Sequence, residues 1–99
     1  MTQTETPLAL TQKVSLSSQV LMQDLGGESV FLNCASEEYF GLDAIGTRML
    51  AVLQASNSIA AAAQLLLDEY DVEADRLEQD LLAFVQSLLA HGLVEITQS

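Results

Sequence analysis

Apolar and polar residues alternate along the first half of the chain and recur every three or four positions along the second. Gln19 to Leu25 fits a strand closed by Gly26-Gly27, a dipeptide that supplies the positive φ of a tight hairpin. Glu28 to Cys34 is the expected return strand, with Val30, Leu32 and Cys34 on one face. A polar connection, Ala35-Ser36-Glu37-Glu38, leads to a third strand, Tyr39 to Leu42. In that strand Phe40 and Leu42 share one face and Tyr39 and Gly41 the other. Met1 to Ser18 has no sustained period. Leu8, Leu10, Val14 and Leu16 alternate only loosely there, so residues 1–18 are expected to form a flexible tail with partial docking.

Asp43 marks the change of period, because its side chain can accept the backbone N–H groups that a first helical turn leaves free. The first helix is expected over Ala44 to Ala55, with Ile45, Met49, Val52 and Leu53 at helical spacing on its apolar face. Ser58 can cap a second helix from Ile59 to about Tyr70, where Ala60 to Ala63 permit close packing and Leu65 to Leu67 cover a wide face. The third, Ala74 to His91, carries the clearest stripe: Leu77, Leu81, Phe84, Val85 and Leu88. Gly92 ends it, and Leu93 to Ile96 is expected to fold back onto the core or sheet. The predicted class is α+β and winged-helix-like: a three-stranded antiparallel sheet followed by three helices, in one domain over residues 19–97.

Charge narrows the function more than size does. Fourteen acidic residues against three basic ones, Lys13, Arg48 and Arg76, give a net charge of −11. Nucleic-acid binding needs Lys and Arg to neutralise phosphates, so neither DNA, RNA nor an anionic membrane is an expected partner. The balance favours a basic peptide or protein, or serves solubility alone. No apolar run approaches the roughly 20 residues of a membrane span, and Met1 to Pro7 lacks the layout of a secretion signal, so a cytoplasmic location is expected. The single cysteine, Cys34, cannot form an internal disulfide and is expected to be a small buried hydrophobe.

Catalytic and metal-binding residues are both expected to be absent. His91 is the only histidine and falls at a helix end, and no Ser-His-Asp set, CxxC pair or HExxH motif is present. The acidic stretch Asp68 to Asp80 lacks the spacing of a calcium loop. Gly26-Gly27-Glu28-Ser29 resembles the signature of acyl or peptidyl carrier proteins, whose serine holds a phosphopantetheine arm. A carrier serine opens a helix, however, whereas Ser29 runs into Val-Phe-Leu-Asn-Cys, which is strand-like. The remaining surfaces are the third strand, whose free edge an extended peptide can complete, and the flank Asp80, Ala83, Phe84 and Ser87 of the third helix. Asp80 can pair with a basic residue or simply be solvated, and Phe84 can floor a pocket or simply be core.

Tyr39-Phe40-Gly41-Leu42-Asp43-Ala44-Ile45-Gly46, then Ser58-Ile59, Glu69-Tyr70-Asp71-Val72, Asp80, Phe84-Val85, Leu88 and Gly92-Leu93 together resemble the PqqD-like family. These are the peptide-recognition elements of ribosomal peptide natural product biosynthesis, and the resemblance covers Gln19 to Ile96. It implies a non-catalytic adaptor without cofactor, to whose third strand the leader of a precursor peptide adds as a further strand. The implied contacts are Glu38, Tyr39, Phe40 and Gly41 on the strand and Asp80, Ala83, Phe84 and Ser87 on the helix. The implied second partner is a modifying enzyme, a leader peptidase or a radical enzyme. A free-standing domain of this size is similar to the small leader-binding partner of lasso-peptide leader peptidases. Members of the pyrroloquinoline-quinone pathway usually carry Asn and a Ser-Ala pair where this chain has Asp43-Ala44-Ile45-Gly46. The rival readings are a carrier protein modified on Ser29 and a winged-helix regulator.

Overall fold

A computed structural model describes residues 9–97. The elements in order are β1 (Lys13–Leu16), β2 (Val20–Asp24), β3 (Ser29–Asn33), β4 (Glu38–Leu42), α1 (Ala44–Ala55), α2 (Ile59–Glu69), α3 (Ala74–Ala90) and β5 (Val94–Thr97). The predicted meander is present as an antiparallel sheet in the order β2-β3-β4. Its first turn closes with Leu25 N–H donating to the Glu28 carbonyl at 2.7 Å. Gly26 and Gly27 take φ of +82° and +105° there, where a side chain would be strained. Asp24 Oδ1 accepts both glycine N–H groups.

Register gives the sheet two unlike faces. Ser29, Phe31 and Asn33 of β3 stand opposite Leu42, Phe40 and Glu38 of β4. All three of those β3 residues are buried, Phe31 completely. This inner face packs on a core that includes Leu50 and Leu53 of α1, Ile59, Ala62 and Leu66 of α2, and Leu81, Val85 and Leu88 of α3. Burying a side chain such as Phe31 contributes about 1.5–3 kcal/mol. The outer face carries Leu21, Gln23, Val30, Leu32, Tyr39 and Gly41. Cys34, expected to be buried, is exposed just past the end of β3, where the chain leaves the sheet for the β3–β4 turn.

Within the segment expected to be a flexible tail, β1 forms, so strand structure begins before residue 18. β1 pairs antiparallel with β5, Val14 opposite Ile96, in a separate two-stranded sheet, and Val14 is only 1% exposed. The cause is hydrogen-bond demand at the helix junction. Ile59 and Ala60, at the start of α2, donate their backbone N–H groups to the Gln12 and Leu10 carbonyls at 2.8 Å. Lys13 Nζ donates to the Gln54 and Ser56 carbonyls, at the end of α1. One short stretch of chain thus satisfies the ends of two helices that would otherwise hold bare polar groups. The rest of the expected tail, residues 1–8, lies outside the described residues.

The first two helices begin where their caps were expected. Asp43 Oδ1 accepts from Gly46 N–H at 2.8 Å and Ser58 Oγ from Ala61 N–H at 3.0 Å. Gly92 follows α3 with φ +72° and lies against Asn33, so a Cβ there would stand 3.1 Å from Asn33 Nδ2. Asn33, itself buried, donates to the His91 carbonyl and accepts from Ala35 and Ser36 N–H. It fastens the sheet to the C-terminal end of α3. No helix among the described residues is long and apolar enough to cross a membrane.

Candidate functional site

β4 is an edge strand: β3 pairs along one side of it, and no described strand pairs along the other. Its direction relative to α3 is set at its centre and at its end. At the middle of β4, the Phe40 ring meets the His91 ring edge-on, with centroids 4.7 Å apart. His91 is itself held by Nδ1, 2.8 Å from the Ser87 carbonyl. At the far end of β4, Asp43 turns the chain directly into α1. Gly41, Leu42 and Asp43 line an open groove of about 510 Å³ together with Ile45, Gly46 and Met49 of α1 and Phe84 of α3. A second hollow shares Ile45 and Met49 and extends past Leu77 and Asp80 to Tyr70 and Val72. Together the two neighbouring hollows form the trough of the candidate site, meeting at Ile45 and Met49, with Asp43 and Asp80 as its charged lining residues.

The eight residues singled out from the sequence fall into distinct places around this trough. Phe40 is half-buried against the core and His91, so its ring anchors the strand and leaves its backbone as the accessible part. Tyr39 is 72% exposed and stands on the outer face. Glu38 is exposed at the start of the strand, and Gly41 lines the groove. Phe84 is both core and groove, because one part of it packs on the core and another lines the trough. Ala83 and Ser87 are exposed beside it on α3, within one helical turn. Asp80 is exposed at the rim, 3.9 Å from Arg76 Nε in an i,i+4 pair.

The sequence did not point to α1 as part of the site. Ile45 and Met49 stand out in it only by their helical spacing, yet Ile45 is 57% exposed and both line the trough. The available signal was position, since residues in the first turn after an edge strand lie at the sheet margin rather than under it. Ser29, the candidate for a phosphopantetheine arm, is 2% exposed, and its hydroxyl bonds Thr47 Oγ1 at 2.7 Å. That serine ties β3 to α1 and presents no hydroxyl to an attaching enzyme, which removes the carrier reading. Near the trough, Arg48 bonds Glu69 and joins α1 to the end of α2. Hydrogen bonding to Arg48 holds the Glu69 carboxyl below the usual carboxylate range. Among the described residues, no group of three or more His, Cys, Asp or Glu side chains is placed to hold a metal ion.

An edge strand running into a helix, with a second helix walling an apolar trough, defines a winged-helix-like module with room for an extended polypeptide. Residues 28–94 match the family model described as coenzyme PQQ synthesis protein D (PqqD), and the chain belongs to this family. Its structure is similar to that of TbiB1 in complex with the TbiA(beta) leader peptide. The two share a TM-score of 0.76 and 30% identity over 81% of this chain and 93% of the other. It is also similar to a lasso peptide synthetase B1 complexed with the leader peptide, with a TM-score of 0.76 and 29% identity over 84% of this chain and 98% of that one. Comparison with curated proteins returned no match.

Proposed function

We propose that this chain is a non-catalytic adaptor that acts in the cytoplasm. It binds the leader segment of a ribosomally made precursor and presents it to a modifying enzyme, a lasso-peptide leader peptidase. The observation that carries this reading is the unpaired edge of β4 beside a trough that Phe84 floors. The leader adds to β4 as a fourth strand, so the backbone groups of Glu38, Tyr39, Phe40 and Gly41 complete their ladder. Each such bond contributes about 0.5–1.5 kcal/mol net. Small side chains at Ala83 and Ser87 let the extended backbone approach α3. Apolar leader side chains seat over Phe84, Ile45 and Met49, and a basic one pairs with Asp80. Support comes from the two structural relatives, each solved with a leader peptide bound.

The experiment is a fluorescence-anisotropy titration of a labelled synthetic leader peptide with the purified chain. Saturable binding that weakens in Phe84→Ala and Asp80→Lys is the expected result. Absence of saturable binding to the wild-type chain contradicts the proposal.

A further inference from the structure

The outer face of the meander carries exposed apolar residues beyond those of the proposed leader site. Leu21 is 64% exposed, Tyr39 72% and Leu25, at the hairpin, 56%. Leu21 and Tyr39, with Met22, Gln23, Val30 and Leu32, line a shallow hollow of about 250 Å³, and Leu25 is exposed at the turn that follows β2. Exposed acidic residues flank this face at both turns: Glu28 at the first and Glu37 at the second. None of the chain's three cations is on the meander. Lys13 is held by the carbonyls of Gln54 and Ser56, Arg48 by Glu69, and Arg76 stands beside Asp80.

An apolar centre flanked by uncompensated acidic residues fits a partner whose apolar patch is ringed by Lys and Arg. A second copy of this chain fits badly, because pairing two such faces brings like charges together. The face also continues into the proposed leader site. Tyr39 belongs to both, and a strand added at β4 points alternate side chains to the same outer side. A protein covering this face therefore touches adaptor and leader at once. We propose that the outer face of the meander docks the enzyme that processes the bound precursor, through a basic-rimmed apolar patch on that enzyme. This rests on the adaptor reading above.

The test compares the full chain with the double variant Leu21→Lys/Leu25→Lys, the charge variant Glu28→Lys/Glu37→Lys, and a control, Leu65→Lys. Leu65 is 50% exposed on α2, away from the sheet. Each protein is melted, titrated with synthetic leader peptide, and measured for association with the purified leader peptidase that cleaves the same precursor, with and without leader. The expected result is leader affinity within about twofold of wild type throughout, with peptidase association weakened about tenfold or more in the double variant. The charge variant weakens association too, and it loses the salt sensitivity seen with wild type. Undiminished association in both meander variants, or an equal loss in Leu65→Lys, overturns the proposal. So does a wild-type dimer in sedimentation that the double variant abolishes, since a second copy would then own the face. A wild-type chain that fails to bind leader contradicts the adaptor reading instead, and is recognised by its intact association with the peptidase.

Discussion

The two sheets of this molecule are built from similar short strands and do opposite things. In the β1–β5 ribbon, Val14 and Val94 are almost fully buried, and the flanking residues bind the ends of α1 and α2. In the β2–β3–β4 meander only one face is buried, one edge lies open beside the trough, and the outer face keeps Leu21 and Tyr39 in solvent. The ribbon is formed from positions more than 75 residues apart, such as Lys13 opposite Thr97. The meander is formed from neighbours joined by tight turns. Non-local pairing here closes the structure, and local pairing leaves a surface to be used.

The strongest way to break this comparison is Val14→Asp, which places a charge in the closed sheet. We expect a loss of about 4 kcal/mol or more in thermal or urea unfolding, a large share of what holds a domain of this size. A near-neutral result would return the segment to the status of a tail. Asn33→Ala comes next, because it cuts the hydrogen bond to the His91 carbonyl at the end of α3 and the two that Asn33 accepts within the β3–β4 turn. It should cost about 1–3 kcal/mol and loosen leader binding as β4 loses its fixed distance from α3. Phe84→Ala should lower leader affinity about tenfold, or about 1.4 kcal/mol, with a measurable fall in melting temperature because the ring is also partly core.

Asp80→Lys should weaken binding several-fold and leave melting unchanged, because the carboxylate is exposed and its contact with Arg76 is long. The smallest effect is expected for Arg48→Ala. Its partner Glu69 has a folded-state pKa below the ordinary value, so the pair stabilises the fold at neutral pH. That contribution fades as pH falls through the lowered Glu69 value, so the melting difference between wild type and variant should vanish in acid.

The same contrast explains what the sequence disclosed. The meander, the caps at Asp43 and Ser58 and the stop at Gly92 were legible because each depends on residues a few positions apart. β1 was not, because Lys13-Val-Ser-Leu16 alternates only weakly and becomes a strand through pairing with β5 and bonding to helix ends. Within the site, the α3 flank was visible from helical spacing. The exposure of Ile45 was not, because a period of three or four identifies a stripe but cannot say whether its first residue lies under the sheet or beyond its margin. Cys34 was misplaced for a related reason: alternation was extended one residue past the true end of β3.

The central claim, that β4 and not another edge receives the leader, is tested most directly by residue-resolved NMR. A synthetic leader peptide is titrated into isotopically labelled protein while the backbone amides are followed. The account predicts the largest changes at Glu38–Leu42 and along Asp80 to Ser87, with intermolecular contacts from the peptide backbone to β4. Saturating changes confined to the open edge of β2 or to the β1–β5 ribbon would contradict it.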